Sequence, residues 1–141
     1  MPRHSRWTLA ITGLYAVGLA LVGLWPTHID KNFAIAGWPS VQWVIRHLEL
    51  TPQQGYNMVE FSANVLLFIP LGALILTFRP RWSWVRVILA GAIVSTAIEI
   101  LQEVSRPGRT ADLRDVLANT IGTAVGLFAV IGLRRILALR E

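Results

Sequence analysis

Residues 61–78 read FSANVLLFIPLGALILTF, with no charged side chain from Phe61 to Phe78. A helix needs ~20 predominantly apolar residues to cross ~30 Å of hydrocarbon, so a run like this one reads as a membrane span. Inside lipid the backbone must satisfy its own polar groups, and a helix does so within a single segment. Three comparable stretches lie on either side. Residues 7–25 are uncharged and dense in Leu, Ala, Val and Gly, and residues 116–133 are uncharged from Val116 to Leu133. Residues 84–101 hold two charges, Arg86 near one end and Glu99 near the other. Arg86 can snorkel to the interface, whereas Glu99 is costly in lipid unless it is paired or hydrated. The expected fold is an all-α membrane protein, a four-helix transmembrane bundle forming one domain over 1–141. Its spans fall at about 7–25, 62–78, 84–101 and 116–133.

Composition supports this reading. The chain is 54% hydrophobic and 15% charged, more apolar surface than a soluble domain of 141 residues can hide. It has no cysteine, which excludes disulfides, thiolate metal sites and cysteine nucleophiles. A net charge of +5 can indicate nucleic acid, but the arginines sit at the ends of apolar runs, so no nucleic-acid partner is expected. Arg3, Arg6, Arg79, Arg81, Arg86, Arg134, Arg135 and Arg140 fall on one side of the four spans, with Glu141 as the acid there. The other side carries Asp30, Glu49, Glu60, Glu99, Glu103, Asp112 and Asp115, along with Lys31, Arg46, Arg106, Arg109 and Arg114. The positive-inside rule then puts both termini in the cytoplasm, N-in and C-in. A cleaved signal peptide is disfavoured, because the first apolar run is longer than a usual signal core. Trp7, Trp25, Trp82 and Trp84 fall at span ends, where indole rings prefer to sit.

The first outer loop is long, from Pro26 to Glu60. Within it Val41, Val44, Ile45 and Leu48 recur at helical spacing, after Pro39-Ser40 and before Thr51-Pro52. A short amphipathic helix is expected there, lying on the membrane surface or packed on the bundle. Pro70 is expected to kink the second span.

Polar residues that are awkward in lipid gather on the outer side. They are Asn64 near the start of the second span, Glu99 and Gln102 at the end of the third, and the stretch Arg109 to Asn119. Glu99 and Gln102 are spaced i, i+3 and share a helix face. Pro107-Gly108 breaks the chain, and Thr110 or Asp112 can cap the fourth helix. Asp112, Asp115 and Asn119 again share one face, which Gly122 and Gly126 continue. A small-xxx-small pair lets helix backbones approach closely, so this face is expected to point into the bundle toward the third span. Glu99 needs a partner, and Arg109 and Arg106 are the nearest cations in sequence. These residues either clamp helices together or line an outward polar pocket for a lipid head group or glycan phosphate. General acid–base use of Glu99 with Asp112 or Asp115 and proton-coupled transport remain weaker alternatives. No serine–histidine arrangement supports nucleophilic catalysis, and no metal-loop spacing is present, so neither metal nor cofactor is expected.

The run Asn64 to Gly72, then Glu99-x-x-Gln102, then Arg109-x-x-Asp112-x-x-Asp115-x-x-x-Asn119-x-x-Gly122-x-x-x-Gly126, resembles the VanZ-like membrane proteins over roughly residues 60–130. The resemblance implies a multi-pass protein of the bacterial cytoplasmic (inner) membrane. It also implies a link to low-level resistance to the glycopeptide teicoplanin, with which the family's namesake is associated. It carries over Asn64, Glu99, Gln102, Arg109, Asp112, Asp115 and Asn119 as the site, with Gly72, Gly122 and Gly126 in packing. The expected partners are membrane lipids, with a lipid head group or lipid-linked cell-wall precursor in the outer pocket.

Overall fold

A computed structural model describes residues 6–23, 37–105 and 112–138. Within them the chain forms α1 (Arg6–Gly23), α2 (Pro39–His47), α3 (Pro52–Phe78), α4 (Trp84–Ser105) and α5 (Leu113–Ala138), with no strand among the described residues. Helices α3, α4 and α5 are each long and apolar enough to cross a membrane. Helix α1 is apolar but shorter, and at ~1.5 Å per residue it extends ~27 Å.

Two helices begin earlier than the apolar runs predict. α3 starts at Pro52, not near 62, because Thr51 builds a capping box. Its hydroxyl accepts from the Gln54 N–H at 3.3 Å, and the Gln54 side-chain oxygen accepts from the Thr51 N–H at 2.8 Å. Proline at the first helical position loses no intrahelical bond. Much of the expected outer loop is therefore helix, with residues 52–60 extending α3 beyond its apolar run. α5 begins at Leu113 because Asp112 caps it, its carboxylate accepting from the Arg114 N–H at 2.8 Å. Thr110, the other candidate cap, lies outside the described residues.

The expected amphipathic helix is α2. Pro39 sits at its first position, and Ile45 is its buried residue. Ile45 rests directly on Gly55, where any side chain would overlap it, so α2 is packed on the first turn of α3. Trp38 and Trp43 stay exposed.

Contacts at the glycines set the arrangement of the three long helices. A Cβ on Gly122 would overlap the Val65 carbonyl, and one on Gly126 the Ile69 carbonyl. In return, a Cβ on Gly72 would overlap the Thr123 carbonyl. Residues rising together on both helices mean that α3 and α5 run parallel, backbone against backbone. α4 lies antiparallel to them, with Gly91 receiving the Thr123 side chain and Ser95 bonded to Asn119. The small-residue stripe of α5 thus closes on α3, while the polar face expected to meet α4 does so through Asn119 and Ser95. A stripe on one helix does not reveal which neighbour it meets. Beyond this contact Leu76, Val87 and Leu127 form an apolar core with Ile75, Ile88, Val130 and Ile131 against it. α1 packs mainly on α3, where the Tyr15 hydroxyl donates to the Leu67 carbonyl at 2.9 Å. That carbonyl lies one residue beyond Leu66, whose intrahelical donor Pro70 removes.

Candidate functional site

The antiparallel register of α4 and α5 stacks side chains in levels one turn apart. Val87, Gly91, Ser95 and Glu99 are buried along α4, and Leu127, Thr123, Asn119 and Asp115 along α5. Toward the Asp112 end the levels are polar; toward the Arg79 end they turn apolar at Val87 and Leu127. The periodicity that the sequence shows in Asp115 and Asn119 therefore becomes a column running into the three-helix core.

Glu99 is only 3% exposed. One carboxylate oxygen accepts from the Asp112 N–H at 3.1 Å, so this side chain holds the start of α5 where the helix has unsatisfied N–H groups. A carboxylate is favourable at such an end because the helix dipole is positive there. Arg106 and Arg109, the expected partners of Glu99, lie outside the described residues. Asp115 is buried, and its carboxylate accepts from the Asn64 amide at 2.7 Å, joining α5 to α3. Gln102, one turn beyond Glu99, is buried at the same end of α4.

Asn119 lies one turn deeper and is 5% exposed. Its amide donates to the Ser95 hydroxyl at 2.8 Å, while its backbone carbonyl accepts from the Thr123 hydroxyl at 3.0 Å. The side-chain oxygen of Asn119 is buried and accepts no hydrogen bond among the described residues. Leaving such an acceptor unmet costs about 1–3 kcal/mol, which a donor reaching it would recover.

The structure thus brings Asn64, Glu99, Gln102, Asp115 and Asn119 to one end of the bundle from three helices. Asp112 joins them through its backbone, while its side chain caps α5 and is exposed. Ser95 and Thr123, both fully buried, were missed from sequence. The signal was present, since each lies four residues inward from a motif residue, but a hydroxyl inside an apolar span is inconspicuous. Among the described residues no three His, Cys, Asp or Glu side chains gather as metal ligands would.

Protein VanZ of Enterococcus faecium is 36% identical over 89 residues, which cover 58% of this chain and 51% of that protein. The chain therefore spans about half the length of this curated relative. No solved structure matches. The family model described as VanZ/LLP1 matches residues 6–136, reaching into all five described helices and covering the whole polar column. An all-helical chain with three membrane-capable helices, matched over nearly its full length, is a membrane protein and belongs to the VanZ/LLP1 family.

Proposed function

We propose that the chain binds the head group of an envelope lipid or lipid-linked cell-wall component in an outward-facing polar pocket. In this reading α1 is the fourth span, both termini are cytoplasmic, and the protein resides in the bacterial inner membrane. The excess of arginine at the opposite end supports that orientation. Glu99, Asp115, Asn64 and Asn119 line the pocket, with Gln102 beside them, and Arg109 meets the phosphate. A part in glycopeptide tolerance, implied by the family's namesake, would follow from engaging such a precursor. The observation that carries the proposal is the buried, unmet oxygen of Asn119 among side chains from three helices. The apolar core at Leu76, Val87 and Leu127 argues for binding over passage through the membrane.

A second reading has its own support. The bonds Asn64–Asp115 and Asn119–Ser95 each join two helices, as a structural clamp would. The two readings separate in cells producing Glu99→Gln or Asn119→Leu at normal levels. Altered teicoplanin or envelope-stress susceptibility with undiminished protein supports the binding site. Wild-type susceptibility in both variants overturns it in favour of the clamp.

A further inference from the structure

A second feature lies away from the polar column. Between α1 and α4, over the flank of α3, runs an apolar groove of about 630 Å³. Its walls include Ala16 and Leu19 of α1, Leu71 and Phe78 of α3, and Ala90 and Val94 of α4. Helix α1 is tethered to α3 through Tyr15 and Leu67 but stands off from α4, which leaves the groove between them. On α3 the lining runs from Leu71 to Arg79, ~12 Å of helix, and on α4 from Ala90 to Leu101, ~16 Å. Gly72 and Gly91 both face Thr123, so the two linings extend in opposite directions from one level and together approach the ~30 Å thickness of a bilayer core.

The groove is not apolar throughout. Arg79 and Trp82 line one end, with the Arg79 guanidinium 5.9 Å above the Trp82 ring centroid. Arg79 and Trp82 are both exposed at the terminus of α3. Arg81 and Arg86 stand nearby in sequence, so the field at this end is positive. An indole beside a guanidinium at the end of a membrane-length helix matches the interfacial belt, where head groups lie.

We infer that this groove is a binding site for one anionic phospholipid, its acyl chain between α1 and α4 and its phosphate on Arg79. Apolar volume between membrane helices is filled by lipid tails because water gains nothing there. The arginine end selects the anionic head group, as basic side chains at a membrane surface do. This site is separate from the polar column: it lies on the other flank of α3 and draws its charge from the opposite end of the bundle.

Native mass spectrometry of the full chain, released from detergent with phosphatidylglycerol and phosphatidylcholine of identical chains, tests this. Wild type is expected to retain one lipid and to prefer phosphatidylglycerol by about fivefold, the worth of one basic contact near an anionic surface. Arg79→Gln is an exposed change that leaves the core intact; it should abolish the preference while chain retention persists. Ala90→Phe fills the groove and should remove the retained lipid of either type. Equal preference in wild type and Arg79→Gln overturns the assignment of the head group. Undiminished retention in Ala90→Phe shows ordinary boundary lipid and overturns the site. A dimer lost in Ala90→Phe would assign the groove to a second copy of the chain and overturn it equally.

Discussion

The contact between α3 and α5 admits a quantitative test at Gly126. Its Cα faces the Ile69 peptide so closely that an added Cβ would lie 2.8 Å from the Ile69 carbonyl carbon and closer still to its oxygen. The obstacle is backbone, which cannot rotate away as a side chain can. To restore an ordinary separation of about 3.5 Å from the oxygen, the two helices must part by more than about 1.5 Å. The Asn64–Asp115 bond joins the same two helices at 2.7 Å, and that movement would carry it beyond about 3.2 Å, where hydrogen bonds weaken. Overpacking costs about 1–3 kcal/mol, and a hydrogen bond to a charged group adds about 1.5–3 kcal/mol if lost. Gly126→Ala should therefore destabilise the chain by about 2.5–6 kcal/mol. Equilibrium unfolding in mixed detergent micelles, followed by circular dichroism, reads this directly. Repeating the substitution in an Asn64→Leu background separates the two contributions, because the bond is then already absent. A loss under about 0.5 kcal/mol for Gly126→Ala would refute the backbone-on-backbone packing, since surface changes fall in that range.

Three further outcomes follow from other contacts. Asn119→Leu with Ser95→Ala removes a bonded pair together with the unmet oxygen, so unfolding should show a change within about 1 kcal/mol of neutral; a loss above about 3 kcal/mol would mean that the pair is a stabilising clamp. Thr51→Ala deletes the hydroxyl half of the capping box, leaving the Gln54 side chain on the backbone N–H of residue 51, and should cost about 0.5–2 kcal/mol, seen by hydrogen exchange as faster opening at Gln54 and Gly55 with the rest of α3 unchanged. Tyr15→Phe should lower stability by about 0.5–1.5 kcal/mol and increase cross-linking distances between α1 and α3; unaltered distances would show that the hydroxyl does not tether α1.

The long helices were legible because lipid tolerates so few charges: their uncharged runs marked them before any contact was known. The beginning of α3 was hidden for the opposite reason. Gln53, Gln54, Asn57 and Glu60 make residues 52–60 look like loop, although Thr51 and Gln54 already carried the capping signature. At the site, helical spacing alone put Asp115 and Asn119 on one face, and the structure keeps them there. Spacing could not supply the partners. Asn64 reaching Asp115, and Ser95 receiving Asn119, depend on which helices neighbour which. The glycines illustrate the same limit, since Gly122 and Gly126 announced a close approach whose other side only the fold identified. Arg109 and the connection around it fall outside the described residues, so the cationic part of the motif rests on resemblance.

The polar column ends on the apolar core formed by Leu76, Val87 and Leu127, and this has an electrical consequence. From Asp112 to Asn119 is ~10 Å of helix, about a third of a ~30 Å hydrocarbon core. A unit charge crossing the whole membrane gains or loses about 2.3 kcal/mol per 100 mV. A charge descending only to Asn119 crosses about a third of that field, worth roughly 0.8 kcal/mol per 100 mV. Occupancy of the column by a charged group should therefore change by less than about fourfold when an energised membrane is depolarised by 100 mV. On the proposed orientation, the column would sense about a third of the membrane potential.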